Sequence, residues 1–159
     1  MDKRSDGPST EVLISIYQEY AEAILNGEKV IEFRKAQFPQ NISRVYMYST
    51  SPVQRVIGHF EVKDVLRASP RSLWNQYGKR GSIGYEDYIR YYGEAEEACG
   101  ILVKNAVRYE RPVELRELDP SFSVPQSYRY LTEEFKERLE SKSSLNRSWL
   151  GSRLASLFA

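Results

Sequence analysis

The sequence contains very few of the side chains that build disulfides and metal sites. Its one cysteine, Cys99, has no second cysteine in the chain to pair with, and it cannot supply a Cys-cluster zinc site. The one histidine, His59, likewise excludes the common multi-histidine metal sites. We therefore expect no structural metal, and nothing in the composition calls for a cofactor.

Long apolar runs and an excess of one charge are also missing. No stretch approaches the ~20 residues that a helix needs to cross a bilayer, and the first ten residues lack the hydrophobic segment of a signal peptide. The 23 Lys and Arg nearly balance the 22 Asp and Glu, for a net charge of +1. This balance gives no support for a nucleic-acid or membrane partner, but it leaves room for a local basic patch. We expect a soluble, cytoplasmic chain without a membrane partner.

Tyrosine, in contrast, is abundant in a chain whose 159 residues suit one domain with a real core. There are 12 Tyr against 6 Phe and 2 Trp. Tyrosine packs with its ring and hydrogen-bonds through its hydroxyl, so it suits pocket walls and stacking surfaces as well as sheet edges. Both roles stay open at this stage.

The hydrophobic pattern predicts strands and helices along most of the chain. In the first half, apolar runs and Gly27 as a helix stop predict a strand, a helix and three more strands at residues 12–17, 18–26, 29–35, 44–50 and 53–67. Gly58 within the last strand indicates a bulge or bend. The second half predicts two short helices, two strands and a charged helix at residues 69–78, 85–93, 100–110, 112–117 and 132–140. Long strands with few helices favour an α+β fold, a small closed or nearly closed β-barrel flanked by short helices, with a ligand site at its mouth.

The domain prediction has three parts. Residues 1–10 are polar and predict a disordered N-terminal segment, and residues 11–140 form the folded domain. Residues 141–159 are rich in serine but carry apolar residues at helical spacing, which predicts a marginal amphipathic helix. This tail can dock on its own domain or bind a protein partner.

The stretch NGEKVIEFRK alternates apolar and charged residues with the period of a strand. Residues two apart share a strand face, so Ile31 and Phe33 face the core while Glu32 and Arg34 point away together. As an ion pair on the surface, Glu32 and Arg34 would stabilise the fold by less than ~1 kcal/mol. In this interpretation the stretch is an ordinary half-buried strand.

A second interpretation makes the same stretch the wall of a binding site, and it depends on Lys29. This residue starts the strand, where alternation is not yet set, so its amine can join the Glu32 carboxylate. A partly desolvated lysine near another cation has a lowered pKa and can act as a nucleophile or base. Arg34 offers planar, bidentate contacts to phosphate. Spacing alone leaves both interpretations open.

Two segments, YAEAILNGEKVIEFRK and VYMYSTSPVQRVIGHFEVKDV, resemble the ASCH domain, a PUA-like barrel related to the RNA-binding PUA and EVE domains. The family pattern A-x-x-I-x-x-G-x-K-x-x-E-x-R is occupied by Ala21, Ile24, Gly27, Lys29, Glu32 and Arg34. The T-S-P turn and the V-x-G-x-F-x-V strand are matched at Tyr46, Tyr48, Ser51, Pro52, Ile57, Gly58, Phe60 and Val62. The resemblance is strongest over residues 12–65 and extends weakly to residue 131.

The resemblance implies a PUA-like β-barrel with a cleft near the Lys, Glu and Arg of the motif. It also implies RNA or a nucleotide as the partner, in a module that regulates translation or transcription. The residues expected to contact this ligand are Lys29, Glu32, Arg34, Tyr48, Ser49, Tyr85, Tyr88 and Tyr128.

Enzymatic alternatives come from two other branches of the same family. One branch removes the acetyl group of N4-acetylcytidine with a motif lysine, a threonine three residues later and a more distant glutamate, for which Glu86 is the candidate. Lys29 matches the lysine, but Glu32 stands in place of the threonine and would keep the amine protonated. Another member is a ribonuclease. In either case Lys29 and Glu32 would be the catalytic residues. A third hypothesis is a protein-interaction role through the tail.

Overall fold

The computed structural model describes residues 10–35 and 37–144. Its strands in this part of the chain are β1 (Thr10–Ile16), β2 (Ile31–Arg34), β3 (Ile42–Ser49), β4 (Arg55–Ala68), β5 (Ala98–Val113) and β6 (Tyr128–Tyr130). Its helices are α1 (Gln18–Leu25), α2 (Pro70–Tyr77), α3 (Tyr85–Tyr92), α4 (Leu115–Leu118) and α5 (Glu133–Ser143), with a 3₁₀ turn at Gly78–Arg80. The predicted α+β composition is confirmed.

All six described strands belong to one sheet in the order β2-β5-β4-β3-β1-β6. Neighbouring strands are antiparallel except for β1 and β3, which run parallel with Val12 opposite Val45. The sheet curls into a half-barrel with β2 and β6 at its edges, and short helices flank it. The prediction of a small PUA-like barrel is confirmed in this curled form.

The long strand β4 bends where the sequence predicts a bulge. Its register with β5 shifts between Val56 and Gly58 and again further along the strand. A Cβ at Gly58 would collide with the backbone carbonyl oxygen of Val107, so only glycine lets the two strands approach this closely. The bend contributes to the curl that brings distant elements around the sheet.

Both faces of the sheet are covered, because the strands alternate apolar side chains between two cores. The core beside α1 includes Val12, Ile14, Ile24, Val45 and Met47. The core beneath α4 and α5 includes Leu13, Tyr46, Val56, Leu118, Phe135 and Leu139. A third cluster joins β2 to α2 and α3 through Ile31, Phe33, Leu73, Tyr88 and Tyr92.

Two predictions for the second half of the chain are wrong. The predicted strand at residues 112–117 is the end of β5 followed by α4, because Leu115 and Leu118 both enter the core at helical spacing. Between residues 117 and 132, where the sequence pattern predicts no element, the structure contains β6, which pairs with β1 through only three residues. Such a short edge strand leaves almost no period-2 signal in the sequence.

The terminal predictions fall largely outside the described residues. Residues 1–9 and 145–159 are not described, so the roles predicted for the N-terminal segment and for the tail stay predictions. None of the helices in the described ranges is long and apolar enough to cross a membrane.

Candidate functional site

The position of Lys29 follows from the end of α1. The helix stops at Leu25, and Gly27 adopts φ +81°, a conformation that glycine adopts more readily than other residues. The Lys29 backbone N–H then donates to the Ala23 carbonyl oxygen, and the Val30 N–H donates to the Arg80 carbonyl oxygen. This turn aims the Lys29 side chain inward, between α1 and the 3₁₀ turn.

Lys29 is an internal cation, with a side chain only 3% exposed. Its ammonium donates a hydrogen bond to the Gly81 carbonyl oxygen and lies 3.8 Å from Glu32 Oε2. Its Nζ also lies 5.0 Å from the ring centre of Tyr20 and 5.3 Å from that of Phe33. Burial lowers the pKa of this amine; the Glu32 carboxylate opposes that shift.

Glu32 and Arg34 form a buried pair, so the surface interpretation of this strand is wrong. The exposed fraction of their side chains is 8% and 12%, and Arg34 Nε lies 3.3 Å from Glu32 Oε1. Arg34 Nη2 also donates to the Ser15 carbonyl oxygen at 2.5 Å. The end of β1 and the start of α1 therefore cover the β2 face that the sequence pattern assigned to solvent.

Two polar atoms of this pair have unused hydrogen-bonding capacity. Glu32 Oε2 and Arg34 Nε are both buried and make no hydrogen bond to any described residue. Most buried polar atoms have a hydrogen-bond partner, and buried charges are costly without one. Both atoms are held by ion-pair contacts alone, Arg34 Nε at 3.3 Å from Glu32 Oε1 and Glu32 Oε2 at 3.8 Å from the Lys29 ammonium.

These side chains form part of the wall of a cavity of about 820 Å³, within the range of ligand sites in proteins. It lies where β1 ends, α1 begins, and β2, α3 and the segment before β6 meet. Its described lining residues are Ser15, Ile16, Tyr17, Glu19, Tyr20, Lys29, Glu32, Phe33, Arg34, Lys35, Thr50, Ile83, Asp87, Arg90, Tyr91, Gln126 and Ser127.

The charges of the cavity nearly balance, with the cations slightly in excess. Among the described lining residues, four are basic and three are acidic: Lys29, Arg34, Lys35 and Arg90 against Glu19, Glu32 and Asp87. At the mouth, Arg90 pairs with Asp87 at 3.1 Å, and the Lys35 ammonium lies 5.1 Å from the ring centre of Tyr91. The wall of the cavity therefore offers both cationic groups and carboxylate acceptors.

The part of the chain that contains these motif residues matches a known family. A family model for the ASCH domain matches residues 14–112. The chain belongs to the ASCH domain family. It is 31% identical over 138 residues to a Zymomonas mobilis protein named ASCH domain-containing ribonuclease. The aligned region covers 84% of this chain and 93% of that protein.

Solved structures agree with this ASCH assignment. The crystal structure of the Z. mobilis ASCH protein gives a TM-score of 0.77 at 30% identity, covering 83% of this chain and 94% of that one. A serine-to-alanine variant of the same protein gives 0.78 at 30% identity, covering 83% and 95%. The resemblance proposed from the sequence is confirmed.

In this ASCH domain the three motif residues converge on the cavity, while the other residues predicted to contact a ligand lie elsewhere. Tyr48 shares a β3 face with Tyr46 and packs in the core beneath α4 and α5. Ser49 is fully buried. Tyr128 packs on Phe38 with ring centres 4.4 Å apart.

The two α3 tyrosines predicted as ligand contacts also lie outside the lining of this cavity. Tyr88 is fully buried, donates to the Pro70 carbonyl oxygen at 2.6 Å, and packs edge-on against Phe33 at 4.9 Å. Tyr85 is exposed, and its ring contacts Trp74 at 5.2 Å. These residues support the cavity wall or the surface of α3, because the helix turns Asp87, Arg90 and Tyr91 toward the cavity instead.

The tyrosines that line the cavity were not predicted from the sequence. Tyr17 and Tyr20 lie three apart, across the junction of β1 and α1, and that helical spacing was a usable signal. Tyr91 comes from α3, and its hydroxyl accepts a hydrogen bond from the Lys35 backbone N–H at 3.0 Å. No local pattern joins α3 to β2, so only the fold brings Tyr91 to the site.

Proposed function

We propose that this ASCH domain binds RNA and holds one nucleotide in the cavity beside Lys29, Glu32 and Arg34. The observation that carries the proposal is the mostly buried Glu32–Arg34 ion pair at the wall of a ligand-sized cavity, in which Glu32 Oε2 accepts no hydrogen bond from a described residue. The relative that is named a ribonuclease supports RNA as the ligand class.

The charges fit a nucleotide better than a simple anion. An arginine guanidinium has five N–H donors, and the Ser15 carbonyl uses one of those of Arg34. Arg34, with Lys35 and Arg90 at the mouth, can meet phosphate oxygens. The Glu32 carboxylate would repel a phosphate, but it accepts from a nucleobase N–H or a ribose hydroxyl.

Basic residues next to the cavity extend this surface. Lys79 and Arg80 are exposed on the 3₁₀ turn, which is hydrogen-bonded to the start of β2 through Val30. Because the chain as a whole is nearly neutral, binding depends on a few local phosphate contacts. We therefore expect the logarithm of the binding constant to fall linearly with the logarithm of the salt concentration. The slope should be about 0.7 to 0.9 for each phosphate contact.

The experiment is a fluorescence-anisotropy titration of a fluorescein-labelled ten-nucleotide RNA of random sequence. Arg34→Lys keeps the charge but loses the planar guanidinium that binds phosphate with two N–H donors. We expect it to weaken binding about tenfold or more. The matched control is Arg116→Lys on exposed α4, which should change the affinity less than twofold. Absence of saturable binding, or an equal loss in both variants, contradicts the proposal.

A second candidate function is cleavage of RNA, favoured by the name of the Z. mobilis relative. Glu32 Oε2 is the better candidate base, because it has no hydrogen bond among the described residues, whereas the Lys29 amine donates to Gly81. Incubating the labelled RNA with the protein, and N4-acetylcytidine in a parallel sample, separates the functions. Turnover that Glu32→Gln abolishes, while the circular dichroism spectrum shows the variant still folded, supports an enzyme. Binding without turnover supports a binding module.

A further inference from the structure

Tyr17 occupies a position that neither burial nor helix stability explains. Its side chain is 67% exposed, although it lines the cavity mouth. It is also the N-cap residue of α1, and its side chain makes no capping hydrogen bond. Serine, threonine, aspartate and asparagine are favoured there because their side chains accept from the first helical N–H groups. An exposed aromatic ring at this position gains stability from neither source.

The Tyr17 ring continues a wall of aromatic rings that runs from solvent to the buried lysine. Its centre lies 6.1 Å from that of Tyr20, with the rings tilted by 53°. Tyr20 in turn contacts the Lys29 ammonium, which lies 5.3 Å from the ring centre of Phe33. A flat ligand group at the mouth therefore meets aromatic surface that is continuous with the cavity.

The charges around the mouth decide which part of an RNA this ring meets. Glu19 lies two residues from Tyr17 and also lines the cavity, so phosphate is repelled from this side. Lys35 and Arg90, contributed by other elements, attract phosphate instead. An uncharged nucleobase is the part of the RNA that suits the Tyr17 side of the mouth.

We propose that Tyr17 is a stacking platform for the nucleobase next to the one held in the cavity, so that the site takes two consecutive nucleotides. This inference rests on the proposed function. A face of an aromatic ring binds any base by stacking, which makes this second subsite tolerant of sequence. The cavity beside Glu32 and Arg34 then carries whatever base preference the domain has.

The test uses Tyr17→Ser, which removes the ring and supplies the hydroxyl that the N-cap position lacks, so the fold should keep its stability. We expect the affinity for the ten-nucleotide RNA to fall about 5- to 150-fold, the range found when a base-stacking aromatic is removed. Binding of the four nucleoside 5′-monophosphates, measured by competition, should fall by a clearly smaller factor than binding of the RNA. Tyr17→Phe should bind like the wild type.

The control is Tyr130→Ser, because Tyr130 is 54% exposed on β6 and does not line the cavity. Unchanged RNA affinity in Tyr17→Ser, with loss in Arg34→Lys, overturns the platform and leaves the proposed function standing. An equal loss of mononucleotide and RNA binding in Tyr17→Ser also overturns it, because Tyr17 then belongs to the inner site. If the wild type binds neither ligand, the proposed function fails and the platform fails with it.

Discussion

Replacing Glu32 with glutamine tests whether a carboxylate lies between two buried cations. The substitution keeps the size of the side chain and removes its charge. Glu32 lies 3.8 Å from the Lys29 ammonium and 3.3 Å from Arg34 Nε, and both cations are mostly buried. Without the carboxylate, the two positive charges would face each other with no compensating anion in the pair.

The magnitude follows from these distances. At an effective dielectric constant of 20, each contact amounts to about 4 to 5 kcal/mol of Coulomb attraction before desolvation is subtracted. Removing one partner of a buried pair costs about 3 to 5 kcal/mol in net stability. For a domain of this size, that cost lowers the melting temperature by roughly 6 to 20 °C. The pKa of Lys29 should also fall further in this variant, because Glu32 opposes the lowering of that pKa by burial.

Urea unfolding followed by circular dichroism measures this change in free energy. The matched control is Glu134→Gln on α5, where an exposed carboxylate pairs with Arg138 at 2.6 Å. A surface pair of that kind contributes less than about 1 kcal/mol, so the control should unfold near the wild-type midpoint. If Glu32→Gln is as stable as the control, the charged cluster is not buried as described, and the reasoning is refuted.

Three further predictions concern the scaffold around the site. Burial raises the pKa of Tyr88 from 10.0 to about 12, so its contribution to stability is complete below pH 10 and is lost as the pH rises toward 12. The urea midpoint of Tyr88→Phe should therefore depend less on pH in that range. Gly58→Ala should destabilise by about 1 to 3 kcal/mol or more, because its methyl group meets the Val107 carbonyl; an unchanged urea midpoint would contradict the close approach. Thr132→Ala should cost about 1 kcal/mol of unfolding free energy by removing the cap on the Phe135 N–H, and Thr132→Ser should restore it.

On the motif side, the sequence pattern places Lys29, Glu32 and Arg34 on one strand. In the structure β2 holds Glu32 and Arg34, Lys29 lies two residues before its first residue, and all three line the cavity. Gly27 correctly marked the end of the preceding helix. Strand periodicity underestimated the burial of Glu32 and Arg34, because an alternating pattern is interpreted as one buried face and one solvent-exposed face. In the structure, β1 and α1 pack over that face through contacts such as the Arg34 bond to Ser15.

Local sequence patterns could not predict the residues on the opposite side of the site. Tyr91 faces Lys35 across 56 residues of sequence, and only the packing of α3 beside β2 brings them together. Tyr48 also depends on the fold: β3 is buried on both faces, so its tyrosines fill the core beneath α4 and α5. Leu115 was assigned to a strand because a four-residue helix is too short to show a helical period.

The central claim is that RNA enters the cavity at the motif residues. The most direct measurement is a titration of the ¹⁵N-labelled protein with the ten-nucleotide RNA, followed by NMR chemical shifts of the backbone amides. The account predicts that the largest shifts fall at Ser15, Arg34 and Tyr91, while Leu118 and Ser141 near α4 and α5 stay unchanged. Shifts confined to α4 and α5, or no shifts at saturating RNA, would contradict it.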